Sequence, residues 1–404
     1  MADPKLAAPA AAPLRVLVFN QISARGLARL PAGRYVVGPD TTVPDAVLVR
    51  SADLHRTDLP KSVLAIGRAG AGTNNIPVDA MSRRGVPVFN APGANANAVK
   101  ELVLAAMLMS ARNLLPAARF VDALDVDSAT LDKAVEDGKK AYAGYELAGH
   151  TLGVVGLGKI GCLVADAAIK LGMDVCGFDP HITVDAAWSL PAQVRRAASV
   201  PEVLRAADFV TLHVPLVEST RDLVNADNLG AMRPTAVLLN FSREGIANHD
   251  AVRAALDAGQ LGGYACDFPS AALHRHPRVI AFPHLGASTV EAEDNCAVMV
   301  ADALREFLEH GAISNAVNFP SVSMPRESPW RIAIANANVP NMLGQISTAM
   351  ATAGLNIHNM VNKSRGDMAY TLVDVDSAVK PGVLEALRGI AGVLSVRYLP
   401  ITST

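Results

Sequence analysis

Short apolar runs separated by polar and helix-like stretches dominate the first part of the chain. Leu14–Asn20 reads as a buried strand, and further runs follow at 35–37, 46–49, 63–66 and 87–89. That alternation predicts a parallel α/β domain. A helix is predicted over Ala98–Leu115, with Leu102, Leu104, Ala105, Leu108 and Met109 on one side. The polar, charged stretch Pro116–Glu146 is expected to connect it to the next unit.

The rhythm resumes with a strand at Thr151–Val155, then Gly156, Gly158 and Gly161, then a helical pattern. Ile160, Leu163, Val164, Ala167, Ala168 and Leu171 recur three or four apart and form one apolar face. Gly172 is placed to stop that helix, and a second strand, Asp174–Phe178, ends on Asp179. Strands are also predicted at Phe209–Val214, Ala236–Phe241, Gly262–Cys266 and Arg278–Phe282, with helices such as Pro201–Ala206 and Ala251–Ala258 between them. A helix over Ser288–His310 closes this part. Val317–Pro329, punctuated by Pro320, Pro325 and Pro329, reads as a linker. Beyond it, strands at Arg331–Ile334, Leu355–Asn362, Ala369–Val375 and Val393–Leu399 alternate with helices at Asn341–Ala353 and Pro381–Ile390. The order βαββαβ is that of a ferredoxin-like module.

Strand, glycines, helix, strand and acid are the context a dinucleotide-binding turn requires. Gly156 permits the tight turn, Gly158 lets backbone N–H groups approach a pyrophosphate, and Gly161 allows close helix–strand packing. The helix N-terminus adds partial positive charge and free donors. Asp179 is placed to accept hydrogen bonds from ribose hydroxyls and to repel a 2′-phosphate. Pro180 and His181 follow it, with no Arg to hold such a phosphate. NAD is therefore expected in preference to NADP.

A chain of 404 residues is expected to hold two or three domains. Its net charge of −2 gives no basic excess for nucleic acid or an anionic membrane. The apolar run Leu102–Met109 is too short to span a bilayer. The N-terminal segment with its Ala/Pro repeats reads as a ragged leader and not a signal peptide. Cys162, Cys176, Cys266 and Cys296 form no CxxC pair, which suits reduced thiols in a cytoplasmic protein and no metal site.

In open parallel sheets, ligands bind beyond the carboxyl ends of strands. Three loops in the first domain answer to that position: Arg50 with Ser51, Gly67–Asn75 and Asn90–Asn97. Arg50 and Arg68, each following an apolar run, read as anion-binding, whereas each Asn taken singly reads as a turn former. Among ten histidines, His284 ends the last strand of the nucleotide domain, where an imidazole with an ordinary pKa near ~6.5 suits proton exchange. His213, inside a predicted strand, reads as a satisfied core residue. Arg243 follows a strand, and its guanidinium can grip a carboxylate through charge-assisted bonds worth roughly 1.5–3 kcal/mol each. The competing reading of Arg243 is a surface salt bridge with Glu244.

Taken together, the Arg-Ser of the third strand, GRAGAGTNNI, NAPGANANAVKE, GVVGLGKIG with Asp179, HVPL, LNFSR, CDF and PHLGAST resemble the D-2-hydroxyacid dehydrogenase family, from about Leu14 to the C-terminus. The resemblance implies two doubly wound parallel-sheet domains, a flavodoxin-like substrate domain and a Rossmann NAD domain, plus a ferredoxin-like βαββαβ C-terminal domain. The substrate domain would comprise 14–97 and 288–318, the NAD domain 98–287, the linker 319–329 and an ACT-like regulatory domain 330–404. Hydride transfer between NAD and a small 2-hydroxy acid is implied. Arg243 would bind the acid's carboxylate and His284 would be the acid/base. Cofactor contacts would fall to Gly156, Gly158, Lys159, Ile160, Gly161 and Asp179, and in the following loops to His213, Val214, Pro215 and Thr220. Phe241, Ser242, Arg243, Asp267, His284 and Gly286 complete that set, with Asp267 beside the nicotinamide. Substrate contacts would fall to Arg50, Ser51, Arg68, Ala69, Gly70 and Asn95, together with Arg243 and His284. An ACT domain senses amino acids and pairs with a second copy, which implies a homodimer or homotetramer and L-serine as an effector near Asn336, Asn338 and Asn356.

Two positions depart from the family pattern. Its catalytic Glu is replaced by Ala272, so Glu244 or another acid would have to stand in. The C-terminal pattern HxNxPG is met as Asn336, Asn338, Pro340 and Asn341. Two other readings therefore stand beside the first: a relative acting on glyoxylate or hydroxypyruvate, and an NAD-binding sensor with impaired chemistry.

Overall fold

The computed structural model describes residues 12–401; the leader read at the N-terminus falls outside them apart from its last residues, as do 402–404. The chain divides into two compact units, one running up to Asn95 and resuming at Val290, the other spanning Ala96–Thr289.

In the first unit, β1 (Leu14–Phe19), β2 (Tyr35–Gly38), β3 (Ala46–Val49), β4 (Ala65–Arg68) and β5 (Val88–Phe89) form a parallel sheet ordered β2-β1-β3-β4-β5. This is the flavodoxin-like doubly wound order. All four residues of β3 are buried, as a central strand covered on both faces requires. The helix Val290–His310 covers β4 so closely that a Cβ on Gly67 would come within 2.7 Å of Leu304.

The second unit carries β6 (Thr151–Val155), β7 (Asp174–Phe178), β8 (Arg195–Arg196), β9 (Phe209–Leu212), β10 (Val237–Asn240), β11 (Gly263–Cys266) and β12 (Val279–Ala281). They form one parallel sheet ordered β12-β11-β10-β9-β6-β7-β8, the Rossmann order extended by a strand. The order reverses between β6 and β9, which places the ligand-binding crevice at the carboxyl end of β6.

The C-terminal part of the first unit is an antiparallel sheet of β13 (Trp330–Ala337), β14 (Ile357–Arg365), β15 (Met368–Val375) and β16 (Val393–Pro400), ordered β14-β15-β13-β16. The helices Met342–Thr352 and Pro381–Arg388 complete the ferredoxin-like unit. Arg331 and Asp374, both buried, form a two-bonded ion pair at 2.7 and 2.9 Å. Arg331 also donates to the carbonyls of His310 (3.2 Å) and Pro325 (3.0 Å). Arg397 donates to the carbonyls of Phe307 (3.0 Å) and Leu308 (2.9 Å). Two cations of the C-terminal sheet thus satisfy the orphan carbonyls at the end of the helix Val290–His310 and complement its dipole.

The stretch after the first long helix differs from expectation. The helix spans Ala96–Ala111 and breaks at Asn113, which has φ 49°. Helices Leu114–Asp122 and Leu131–Gly138 then follow where a connector was expected. Pro116 sits in a first helical turn, where its missing N–H has no intrahelical acceptor to lose. Neither helix buries a residue. The proline-punctuated segment 317–329 is a packed strap: Phe319, Val322 and Met324 are buried, and the Asn318 side chain accepts the Val88 N–H at 2.9 Å.

Candidate functional site

At the carboxyl end of β6 the chain turns through Gly156, whose φ is 93°. A Cβ there would stand 2.4 Å from the His213 carbonyl, and one on Gly161 would stand 2.0 Å from the Gly156 carbonyl. Packing alone excludes side chains at both. Gly158 is different, because a Cβ would meet nothing within 4 Å. It caps the helix Lys159–Lys170 with no side-chain bond and no acid in the first turn. The first-turn N–H groups, around Lys159 and Ile160, therefore face open space with the positive end of the helix behind them. A pyrophosphate fits such a cradle. Asp179 stands at its rim and accepts hydrogen bonds from Leu157 N–H and His181 N–H, each at 2.9 Å.

The loops after β9 and β10 border the same edge of the sheet. His213 lies just past β9 and not inside it. Its Nε2 is 2.9 Å from Thr211 Oγ1, while its buried Nδ1 has no partner among the described residues. Burial lowers its pKa from 6.5 to about 3. Thr220 Oγ1 donates to the Pro215 carbonyl and accepts the Val217 N–H at 2.9 Å. Ser242 Oγ donates to the Val214 carbonyl and so ties the two loops together. Asn240, fully buried at the end of β10, donates to the Arg243 carbonyl (3.0 Å) and accepts the Ser242 N–H (3.2 Å). It shapes the Phe241–Arg243 turn. Arg243 is partly buried, which lowers its pKa, and Nη1 donates to the Ser242 carbonyl at 2.7 Å. Its other N–H donors are available for a fork-like grip.

His284 follows β12 in a left-handed conformation, φ 58°, that a residue with a side chain adopts only under constraint. The constraint is Asp267, at the end of β11 and 1% exposed. Its Oδ1 accepts the Leu285 N–H and its Oδ2 the Gly286 N–H, each at 2.7 Å. Burial raises the Asp267 pKa; the two N–H bonds and the nearby His284 act against that rise. Expected beside the nicotinamide, this carboxylate is turned into the protein and holds the His284 turn. The His284 ring is exposed and packs on Phe268, with centroids 5.1 Å apart. Among the described residues, no carboxylate makes a hydrogen bond or ion pair with it. The field of Glu244 falls on His249 and Tyr264. Ala272 offers only its carbonyl, to Arg253 Nη1 at 3.1 Å.

In the first unit, Arg50 and Arg68 stand at the carboxyl ends of the neighbouring strands β3 and β4, and both act on Cys296. Arg50 Nη2 pairs with Glu293 Oε1 at 2.5 Å. The Asn20 side chain accepts the N–H groups of Ser51 (3.1 Å) and Ala52 (2.7 Å). Gly70 packs under the Arg68 guanidinium, which a Cβ there would displace. Ala69 is buried, and its N–H donates to the Val49 carbonyl at 2.8 Å. Asn75 and Asn90 direct their amides to the carbonyls of Ala52 (2.7 Å) and Ala71 (2.6 Å), as turn formers do. Asn95 is partly exposed. In the C-terminal sheet, Asn336 is buried; its Nδ2 donates to the Ala337 carbonyl at 2.7 Å, while its Oδ1 has no partner among the described residues. Asn338 and Asn356 are exposed.

Sequence reasoning missed Asn20, Asn240 and Glu293. Asn20 and Asn240 carried a signal, a polar residue closing an apolar strand. Glu293 carried none.

Residues 104–286 match the family model described as D-isomer specific 2-hydroxyacid dehydrogenase, NAD binding domain. A D-3-phosphoglycerate dehydrogenase of Haemophilus influenzae is 32% identical over 350 residues, covering 83% of this chain and 81% of that protein. The chain belongs to the D-2-hydroxyacid dehydrogenase family. A D-3-phosphoglycerate dehydrogenase of Escherichia coli K12 is 31% identical, covering 84% of this family member and 82% of its own length. The crystal structure of the TT0316 protein from Thermus thermophilus superposes with a TM-score of 0.61 at 27% identity, covering 75% of this chain and all of that one. Like its family, this dehydrogenase is an NAD-dependent oxidoreductase of a small hydroxy acid, and the open cradle at Gly158 is where its own residues fit the cofactor. Among the described residues, no helix is long and apolar enough to cross a membrane.

Proposed function

We propose that this dehydrogenase oxidises 3-phospho-D-glycerate to 3-phosphohydroxypyruvate, the entry step of serine biosynthesis. The observation that carries this reading is the reach of the phosphoglycerate dehydrogenase relatives, which match 83–84% of this chain. The solved relative TT0316 is covered completely by three quarters of it. A glyoxylate or hydroxypyruvate reductase reading leaves the C-terminal domain without a task.

NAD supplies the hydride acceptor. In the second unit, Arg243 holds the substrate carboxylate through the donors not bonded to Ser242, and a ring nitrogen of His284 takes the hydroxyl proton. Asp267 and Asn240 are positioning residues for the two turns that carry them. Gly156, Gly158, Lys159, Ile160, Gly161 and Asp179 hold the dinucleotide, aided by the loops at His213–Thr220 and Phe241–Ser242 and by Gly286. In the first unit, Arg50 and Arg68 provide cations for a phosphate, with Ser51, Ala69, Gly70 and Asn95 beside them.

The domain scheme that goes with this reading is 14–97 with 288–318 for substrate, 98–287 for NAD, 319–329 as strap and 330–404 for regulation. Asn336, with its unpartnered Oδ1, and the exposed Asn338 and Asn356 are the side chains offered to an L-serine effector. Leu114, Val121 and Leu131 are exposed on helices with no buried residue, and Val126 on the loop between them, which supports a homodimer or homotetramer; a cytoplasmic location belongs to the same reading. Steady-state turnover of the purified protein with NAD and 3-phosphoglycerate tests the activity. Faster turnover of glyoxylate or hydroxypyruvate with NADH would replace this reading, and NAD binding without turnover of any 2-hydroxy acid would favour the impaired sensor.

A further inference from the structure

Within the first unit, a cavity of about 360 Å³ lies where β16 and the end of the helix Pro381–Arg388 meet the segments 61–64 and 84–86. Lys61, Arg84, Arg388 and Arg397 line it, and no carboxylate does. Two of these guanidinium groups are held in place by main-chain carbonyls. Arg84 donates to Leu59 (3.2 Å) and Pro60 (2.7 Å), and Arg397 to Phe307 and Leu308. Each guanidinium has five N–H donors, so donors remain on both. Arg388 is paired with Glu385 at 2.5 Å, and Asp45 acts on Arg397. Lys61 and Arg84 have no carboxylate partner among the described residues. Ser395 Oγ donates to the Gly85 carbonyl at 3.2 Å and stitches the two walls at one edge.

Four cations around one cavity repel one another, and forks fixed by carbonyls are pre-organised for an oxyanion. The volume corresponds to roughly a dozen waters at ~30 Å³ each, more than a bare phosphate needs. Val63, Val86 and Leu394 give it apolar wall for a short carbon skeleton. We propose that this cavity binds a small phosphate monoester, which bridges the C-terminal domain and the first sheet domain. None of Asn336, Asn338 and Asn356 lines it, so it is a second site. It stands whichever 2-hydroxy acid is the substrate.

Calorimetry on the full chain, at matched ionic strength with chloride, tests it with glycerol 2-phosphate and with inorganic phosphate as probes. The expected result is saturable binding of glycerol 2-phosphate, tighter than that of inorganic phosphate. Replacing Lys61→Ala and Arg388→Ala together removes two exposed cations and should weaken it at least about 10-fold. NAD binding by the double variant serves as the check on folding. No saturable binding by the parent protein, or binding undiminished in a double variant that still binds NAD, overturns the site. Equal affinity for the two probes overturns the assignment of an ester.

Discussion

Asp267 holds Gly286 by a 2.7 Å hydrogen bond from its N–H to Oδ2, while Oδ1 takes the Leu285 N–H at the same distance. The pair spans the left-handed residue His284, so a buried acid on β11 fixes the backbone of the proposed acid/base. An amide in its place keeps only one acceptor. Leaving a buried N–H unsatisfied costs about 1–3 kcal/mol, so Asp267→Asn should lower kcat about 10- to 100-fold. Steady-state kinetics and circular dichroism check this; an unchanged kcat in a folded variant would mean the turn keeps its shape unaided.

Arg50 is already partnered by Glu293 at 2.5 Å, with both side chains about a third exposed. An incoming phosphate must compete with that carboxylate. Glu293→Gln should therefore lower KM for a phosphate-bearing substrate several-fold with little change in kcat, because uniform binding is what changes. Its effect should shrink as salt is raised. A raised KM would show that Glu293 orients Arg50 and does not compete.

Among the described residues no carboxylate makes a hydrogen bond or ion pair with the His284 ring, and the family resemblance assigns Ala272 to the place of its Glu. Ala272→Glu should raise turnover and move the acid limb of the pH–rate profile to higher pH, since an adjacent carboxylate favours the imidazolium. Arg253, bonded to the Ala272 carbonyl and paired with Asp257 at 2.7 Å, is the competitor for that new carboxylate. Unaltered turnover together with a lost Arg253–Asp257 pair would identify capture by Arg253.

What could be read from the sequence follows from the range of the interactions. The glycine turn is local: its strand, helix and Asp179 lie close together along the chain, and each part constrains the next. Arg243 and His284 were legible as residues closing strands. The reading of Ala272 as a replaced Glu rests on the family pattern alone. The clamp of Asp267 on Leu285 and Gly286 was not, because it joins two loops that become neighbours only when β11 and β12 pair. Likewise Arg50 meets Glu293 only after the helix Val290–His310 has packed on the first sheet. Leu114–Asp122 and Leu131–Gly138 escaped although they are amphipathic, because the polar, charged composition of the stretch outweighed its period.

His213 gives the chain a pH dependence of stability. Its pKa is about 3 in the folded state against an ordinary 6.5, because its ring is buried. Between those values the unfolded chain binds a proton that the folded chain does not. Stability is therefore complete above about 6.5 and falls as pH drops toward 3, by at most about 1.4 kcal/mol per pH unit. His213→Gln cannot titrate, so the acid-side slope of the urea midpoint, measured on cofactor-free protein, should flatten. Parallel slopes in the two proteins would place the titration elsewhere.

The buried pair of Arg331 and Asp374 makes the sharpest stability prediction. Asp374 takes both bonds of the Arg331 fork, and Arg331 in turn reaches the carbonyls of His310 and Pro325. One guanidinium thus joins the C-terminal sheet, the end of the helix Val290–His310 and the strap that leads to β13. Asp374→Ala leaves that charge buried without a counter-ion, a defect worth about 3–5 kcal/mol. Replacing both partners with apolar residues of similar volume removes the uncompensated charge and should recover most of the loss. Limited proteolysis with mass spectrometry, read at the strap, should show cleavage in Asp374→Ala and protection in the double variant. Equal cleavage in the two would mean that the Asp374 side chain, which also accepts the strap's Glu327 N–H at 3.1 Å, holds the strap directly and not through charge balance.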